Sequence, residues 1–216
     1  MKKLILFVLA LILLSAATNA SEGNKPLKLS GPGDQPHCFD ETSRIINIGV
    51  GFGGVNYYGR WGTGYVYKST PAFSATYEQA WPKKLGPGFL GVGAYVGFKH
   101  AQSRYDDYWF GNAYYYQHNW NHFMLAARGV YHWDVLNAKN AEVYGGVLVG
   151  FRVTTYSYKT NSTDPYINSY KRSDSGVWPV FSLFAGARWY FVPKVALFAE
   201  VGYGISYLTG GVSFKF

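Results

Sequence analysis

The side chains in this sequence best suited to chemistry are two histidines, His118 and His122, in the segment His-Asn-Trp-Asn-His. On a helix both imidazoles would share one face and could bind a metal ion, whereas on a β-strand they would lie about 13 Å apart. A hydrolytic site would need a serine nucleophile and an acidic residue beside a histidine, and no serine accompanies this pair locally. Cys38 and His37 provide too few ligands for a metal. The sequence therefore predicts no catalytic residue, metal site or cofactor.

A second group consists of charged side chains that all lie on the same side of the alternating apolar segments. Each member lies on the side of an alternating segment opposite to its large apolar residues: Glu78, Lys99, Arg128, Arg152, Arg188, Glu200 and Lys215. In a membrane, an arginine or lysine facing lipid at the bilayer midplane would cost about 2–4 kcal/mol. The pattern therefore predicts that these side chains point inward. Two interpretations remain, an ion pathway and a packed core of salt bridges.

The elements that must position these charges alternate with a period of two. This period predicts eight strands, at residues 45–53, 72–81, 89–100, 122–133, 143–155, 180–191, 197–205 and 210–216. The seventh is predicted to direct Leu197, Ala199, Val201, Tyr203 and Ile205 outward. Short connections at 82–88, 136–141 and 192–194 alternate with long ones at 54–71, 101–121 and 156–177; the last, at 206–208, is also short.

The first twenty residues have the pattern of a cleaved secretory signal, in which Lys2 and Lys3 precede eleven apolar residues. The alternative is an uncleaved N-terminal anchor. Residues 21–44 are predicted to be a flexible periplasmic segment, and residues 45–216 to form one domain. Without Lys2 and Lys3 the formal charge of +8 falls to +6; an exported chain with this charge is expected to meet anionic lipid headgroups and no nucleic acid. A single cysteine leaves no internal disulfide.

After residue 20 the sequence has no apolar run long enough for a membrane-spanning helix. Because lipid cannot satisfy an open strand edge, a membrane crossing requires a closed sheet. Strands of about ten residues and alternating connection lengths match such a sheet. The sequence thus predicts an all-β fold, an eight-stranded antiparallel up-and-down transmembrane β-barrel, with short turns and both termini in the periplasm.

Aromatic residues are concentrated in two places, and Tyr alone occurs 20 times. Those at one end of the strands predict an interfacial girdle: Trp81, Tyr131, Trp133, Trp189 and Phe191. Those in the predicted outer loops are candidates for binding a glycan or a protein: Tyr57, Tyr58, Trp61, Tyr108, Trp109, Tyr114, Tyr115 and Tyr116. The alternative for the second group is that the rings stack on each other and on lipopolysaccharide headgroups.

The closing stretch Gly-Gly-Val-Ser-Phe-Lys-Phe, residues 210–216, resembles the C-terminal signal strand of bacterial outer-membrane β-barrels. Residues 197–204, Leu-Phe-Ala-Glu-Val-Gly-Tyr-Gly, are similar to the penultimate strand of small barrels of the opacity-protein, OmpX-like and OmpA transmembrane-domain type. The resemblance implies location in the outer membrane of a Gram-negative bacterium. It also implies that the barrel-assembly machinery recognises the last strand through Val212, Phe214 and Phe216.

These observations predict a non-enzymatic outer-membrane barrel with a structural or surface-binding role, including adhesion. Its expected partners are outer-membrane lipid and lipopolysaccharide, the barrel-assembly machinery, and a host or surface glycan or protein. A narrow passive channel is the alternative. Some small outer-membrane barrels modify lipid A, but the histidine segment departs from the His-x-Ser-Asn pattern of the deacylases, so an enzyme is the third interpretation.

Overall fold

The structure, a computed structural model, describes residues 38–54, 65–109, 112–133, 140–162 and 173–216. The predicted signal peptide therefore lies outside the described residues. No helix within these ranges is long and apolar enough to cross a membrane. The strands are β1 (Arg44–Phe52), β2 (Tyr65–Ser69), β3 (Ala72–Leu85), β4 (Gly88–Trp109), β5 (Asn112–Trp133), β6 (Ala141–Thr160), β7 (Ser173–Val192), β8 (Val195–Gly202) and β9 (Leu208–Lys215).

Eight of these strands form a closed antiparallel ring. Each pairs with its neighbours in the order β1, β3, β4, β5, β6, β7, β8 and β9, and β9 pairs back with β1. Following register partners once around the ring from Phe123 returns to β5 at Trp133, ten residues further along. Such a stagger accompanies strands tilted by about 35–45°. The predicted up-and-down, eight-stranded barrel is confirmed.

The strands differ greatly in length. The strands β4 and β5 have 22 residues each, while β8 and β9 have 8. We call the end with the β3–β4 and β7–β8 turns the lower end, and the opposite end the upper end. The β3–β4 turn passes through Gly86, whose φ of 60° suits glycine. One wall of the barrel therefore continues far beyond the other at the upper end.

We call this continuation the upper sheet, comprising residues 65–69, 101–109, 112–121, 155–160 and 173–179. It corrects the predicted long loop at residues 101–121, since β4 and β5 stay in register from Gly88↔Trp133 to Trp109↔Asn112. It also shortens the other two long connections, because β2 pairs with β4 and because β6 and β7 extend toward each other. The alternation of apolar residues ends at the base of the upper sheet, but the strands continue. The upper sheet is rich in Tyr, Thr and Trp, which are residues enriched in β-strands.

The outer surface of the ring is apolar and exposed. It includes Ile48, Phe73, Val149, Phe181 and Leu197. At the lower end lie the predicted girdle residues: Trp81, Trp133, Trp189 and Phe191 are exposed, and Tyr131 is half-buried. At the upper end this surface meets a polar row of three outward side chains. His100 Nδ1 lies 2.8 Å from Asn121 Oδ1, and Asn121 Nδ2 donates to Thr155 Oγ1 at 3.3 Å.

The inside of the ring contains both apolar and charged side chains. A lower apolar cluster comprises Phe39, Ile45, Ala80 and Phe89. An upper apolar cluster comprises Ala72, Tyr95, Met124, Ala126, Val130, Tyr144, Leu148, Phe184 and Ile205. Charged side chains occupy the region between them. The hydrophobic core of this protein is thus divided by charged groups.

Two predictions about single segments are wrong. The seventh strand, β8, ends at Gly202, and Ile205 is fully buried inside the ring instead of facing outward. The chain bends after Gly202, where Tyr207 O accepts a hydrogen bond from Gly202 N at 2.9 Å, and this bend reverses the expected direction of Ile205. The segment 21–44 is not flexible throughout, because Phe39 and Ser43 are buried and Arg44 begins β1. Residues 21–37 lie outside the described residues.

Candidate functional site: the closed lumen and the upper sheet

A buried ion network fills the middle of the lumen, and we define it by six residues of five strands: Glu78, Arg128, His132, Glu142, Arg188 and Glu200. Arg128 donates to both carboxylate oxygens of Glu200, at 2.5 and 3.1 Å. Arg188 donates to Glu142 at 2.5 Å and to Glu78 at 3.1 Å. Two guanidinium groups thus bridge carboxylates from opposite walls of the barrel.

His132 links two of these carboxylates. Its Nε2 atom contacts Glu78, and its Nδ1 atom lies 3.4 Å from Glu142 Oε2. The network has three carboxylates and two guanidinium groups, so its charges balance when this imidazole is protonated. Buried charges are tolerated when they are paired and hydrogen-bonded in this way.

Aromatic rings and a glycine complete the packing around the arginines. The guanidinium carbon of Arg128 lies 3.9 Å from the ring centre of Phe184, and that of Arg188 lies 4.4 Å from Tyr144. The Tyr144 hydroxyl donates to Glu200 at 2.9 Å. A Cβ atom at Gly186 would come within 2.7 Å of the Tyr144 ring. Gly186 therefore leaves the space that the tyrosine occupies.

The N-terminal segment closes the lower mouth of the lumen. The Phe39 ring stacks on His132, with 3.7 Å between the ring centres and an angle of 5° between their planes. Lys215 Nζ holds the segment by donating to Cys38 O at 3.0 Å and to Asp40 Oδ2 at 3.2 Å. Burial opposes ionisation of Asp40, but hydrogen bonds from Thr42 and the charge of Lys215 outweigh it and lower the pKa of this carboxyl. The segment thus covers the ion network from below.

The seven charged residues predicted to face inward have separate surroundings. Glu78, Arg128, Arg188 and Glu200 belong to the ion network, whereas Lys215 lies at the lower mouth. Lys99 lies near the upper end and donates to Gly53 O at 2.6 Å. Arg152 is half-buried on the same face, and its Nε atom is buried without a hydrogen-bond partner in the described part of the chain.

Sequence reasoning did not assign Glu142 and His132 to the network. Glu142 precedes the predicted start of its strand, at residue 143, by one residue, so the alternation within that strand does not include it. His132 lies between two outward aromatic residues, Tyr131 and Trp133, so the alternation of the strand predicts that its side chain points inward. Its two carboxylate partners come from distant strands, which the sequence pattern does not identify.

The upper sheet carries a cluster of rings on its lumenal face. His118, Trp120, Tyr156 and Tyr158 lie on β5 and β6 with neighbouring ring centres 5.1 to 5.9 Å apart. All four are half-buried. The Tyr156 hydroxyl lies 2.8 Å from His118 Nδ1, and burial lowers the pKa of His118. This face therefore offers polarisable rings with partly exposed surfaces.

His118 and His122 make separate contacts. His118 bonds to Tyr156, while His122 Nδ1 lies 3.0 Å from Thr154 Oγ1. Within the described residues, no group of three or more histidine, cysteine, aspartate or glutamate side chains could hold a metal ion.

Five of the eight predicted loop aromatics lie on strands. Tyr108, Tyr114, Tyr115 and Tyr116 lie on strands of the upper sheet, as does the backbone of Trp109, and none of the five lies in a loop. Tyr108 is 73% exposed, whereas Tyr114, Tyr115 and Tyr116 are half-buried. Tyr57, Tyr58 and Trp61 lie outside the described residues. At the C-terminus, Phe214 and Phe216 are exposed on the outer surface and Val212 is half-buried.

No protein-family model matches this chain, and no curated protein matches it significantly. Among solved structures, it is similar to the N-terminal β-barrel domain of Pseudomonas aeruginosa OprF, with 12% identity and a TM-score of 0.42 over 82% of this chain and 98% of that chain. It is also similar to Ail, the attachment invasion locus protein of Yersinia pestis, in complex with the heparin analogue sucrose octasulfate. That match has 13% identity and a TM-score of 0.42 over 82% of this chain and 100% of Ail.

A third similar structure is that of the Yersinia pestis outer membrane protein Ail in a phospholipid bilayer nanodisc. It has 16% identity and a TM-score of 0.36 over 82% of this chain and 100% of that one. The class of the protein follows from its own strand pairing, which closes eight antiparallel strands into an up-and-down barrel.

Proposed function

We propose that this chain is an outer-membrane β-barrel protein of a Gram-negative bacterium, with its lower end and both termini in the periplasm. The observation that carries the proposal is the inverted distribution of polarity. Large apolar side chains cover the outside of the ring, while Glu78, Arg128 and Arg188 are at most 2% exposed inside it. A water-soluble barrel has no reason to expose such a surface, whereas lipid requires it.

The test of this location combines fractionation with gel migration. We expect the protein in the outer-membrane fraction, and we expect it to migrate differently on a denaturing gel before and after heating, because a closed barrel resists detergent until it is heated. Recovery in the soluble periplasmic fraction, or identical migration in both conditions, would contradict the proposal.

The proposed role is structural and surface-binding, with the upper sheet outside the cell. Exposed and half-buried tyrosines supply broad contact area with a hydroxyl group at small entropic cost. The partner would be a host or surface glycan or protein, and the rim of the barrel would contact lipopolysaccharide. The barrel-assembly machinery would recognise Val212, Phe214 and Phe216 during biogenesis.

The register of the upper sheet provides a sharp test of this role. Ser103 and His118 are direct register partners, so residues 104–117 can be replaced by a two-residue Asn-Gly turn without changing the barrel below. We expect the shortened protein to keep its heat-dependent migration and to lose adhesion to cells. Full adhesion by the correctly folded, shortened protein would refute a binding role for the β4–β5 hairpin.

The lumen argues against the alternative of a passive channel. The ion network and two apolar clusters occupy it, and the N-terminal segment covers its lower mouth. We therefore expect no steady conductance steps in planar bilayers, and regular steps would favour the channel. The third interpretation, a lipid A-modifying enzyme, is tested by comparing lipid A acylation in expressing and deleted cells, where we expect no difference.

A further inference from the structure

Both described turns at the lower end of the barrel carry lysines, and we call these residues the lower lysines: Lys83, Lys84 and Lys194. Lys83 and Lys84 lie near the end of β3, and Lys194 lies in the short β7–β8 turn. All three side chains are exposed. The stretches 81–88 and 191–196, which contain them, include no acidic residue. The turns of the lower end thus add three positive charges outside the ion network.

The lower lysines adjoin the aromatic girdle. Lys83 is two residues from Trp81, or about 7 Å along an extended chain, and Lys194 is three residues from Phe191, or at most about 11 Å. Trp81 and Phe191 are exposed on the outer surface, and such girdles lie where hydrocarbon meets the headgroups of a membrane. A lysine keeps its apolar stem along such a surface and extends its ammonium group into the polar layer. The ammonium groups therefore reach the headgroups of the lower leaflet.

The upper end does not share this excess of positive charge. Within the described residues of the upper sheet, lysines and arginines equal the carboxylates in number: Lys68, Arg104, Lys159, Asp106, Asp107 and Asp174. The other charged side chains described at the lower mouth also balance, because Lys215 pairs with Asp40 at 3.2 Å and because Arg44 and Glu41 have opposite charges. The lower lysines are therefore the source of the charge difference between the two ends.

Lysines at the level of the headgroups attract anionic lipids, and each one near an anionic surface strengthens binding about fivefold. We infer that the lower lysines bind the phosphate groups of anionic phospholipids in the periplasmic leaflet. Their short distance from Trp81 and Phe191 favours lipid over a soluble acidic partner, which would not need the girdle. This inference rests on the proposed location in the outer membrane and adds to it a lipid partner for one end of the barrel.

The test measures which lipids surround the folded barrel in phosphatidylcholine vesicles. The probes are spin-labelled phosphatidylglycerol, which is anionic, and spin-labelled phosphatidylcholine; the fraction of each probe that the protein immobilises gives their relative association. We expect about a twofold preference for phosphatidylglycerol over all lipid contacts, since only those beside the lower lysines gain about fivefold. The preference should shrink in 1 M salt, where the Debye length is about 3 Å. A folded barrel that does not distinguish the two lipids at low salt would overturn the inference.

Two triple variants separate the lower lysines from the net charge of the protein. The lower variant combines Lys83→Gln, Lys84→Gln and Lys194→Gln, and we expect it to lose the preference for phosphatidylglycerol. The matched control removes the same charge from the upper sheet: Lys68→Gln, Arg104→Gln and Lys159→Gln. We expect this control to keep the preference. An equal loss in both variants, or a loss in the control alone, would overturn the assignment to the lower end.

Heat-dependent migration distinguishes the failure of this inference from the failure of the proposed location. A wild-type chain that does not enter vesicles of either lipid would refute the membrane location and this inference with it. A folded, inserted barrel without a lipid preference would refute this inference alone. If that barrel in detergent binds polyglutamate and the lower variant does not, the lower lysines belong to an acidic soluble partner instead.

Discussion

Replacing Arg128 by methionine removes one guanidinium from the ion network while keeping a similar side-chain volume. Arg128 donates to Glu200 at 2.5 and 3.1 Å, and its Nε atom lies 3.7 Å from Glu78. Within the described residues, Glu200 in Arg128→Met keeps only the hydrogen bond from Tyr144, while Glu78 keeps Arg188 and His132. The substitution therefore leaves one carboxylate with greatly reduced compensation.

The magnitude follows from the cost of an uncompensated buried charge. Removing one partner of a buried ion pair destabilises a protein by about 3–5 kcal/mol. The remaining hydrogen bond from Tyr144 to Glu200 and the other partners of Glu78 favour the lower end, about 3 kcal/mol. In the double variant Arg128→Met, Glu200→Gln, neither charge is present. We expect it to lose only about 1 kcal/mol, so that the two substitutions are strongly non-additive.

The assay is urea unfolding of the barrel in phospholipid vesicles, followed by heat-dependent gel migration, for the wild type, both single variants and the double variant. The control is Arg104→Met, whose guanidinium is exposed and is expected to contribute little. An Arg128→Met variant as stable as the wild type would refute the packed-network reasoning. Additive losses in the double variant would refute it as well, since they would mean that the two groups are not coupled.

Three further predictions concern the ends and the outside of the barrel. Phe39→Ala removes the ring stacked on the ion network and is expected to destabilise the barrel by about 3 kcal/mol in urea unfolding; an unchanged midpoint would show that the lower mouth does not depend on this ring. The lowered pKa of Asp40 contributes stability above the pKa of the unfolded chain, so stability should fall as pH drops below about 4. The variant Asp40→Asn should lose this part of the pH dependence, and an identical pH profile would contradict the contribution of Asp40. Val149→Arg places a charge on the outer surface and should cost about 2–4 kcal/mol in vesicles, whereas a neutral effect would mean that this surface does not face lipid.

The parity of the strands could be predicted from sequence because the apolar outer surface and the charged lumen of the closed ring take alternate residues of each strand. Glu78, Arg128 and Arg188 were therefore placed inward from their positions alone. Their pairing could not be predicted in the same way. Glu78 contacts Arg188, which is 110 positions away in the sequence, and such a contact depends on the stagger of the closed ring. The same stagger brings Arg128 to Glu200.

The upper sheet was missed for a different physical reason. An apolar face is the signal that predicts a strand in this sequence, and residues 101–121 have no continuous apolar face. Cross-strand hydrogen bonds nevertheless continue to the end of β4, since each backbone group there still finds its partner on β5. The register of the hairpin below positions the strands above it, and this information is not contained in local apolar periodicity.

The sequence by itself determined the class of fold and the face on which each charge lies, because both follow from the local alternation of apolar and polar residues. Only the tertiary structure decided which charges meet and what closes the lumen. Phe39 enters from the N-terminal segment and Ile205 from the bend after β8, and both are buried although neither belongs to a strand. A segment outside the strands has no period that fixes its direction. Its position is decided by the space that the closed ring leaves unfilled and by the apolar surface it can bury there.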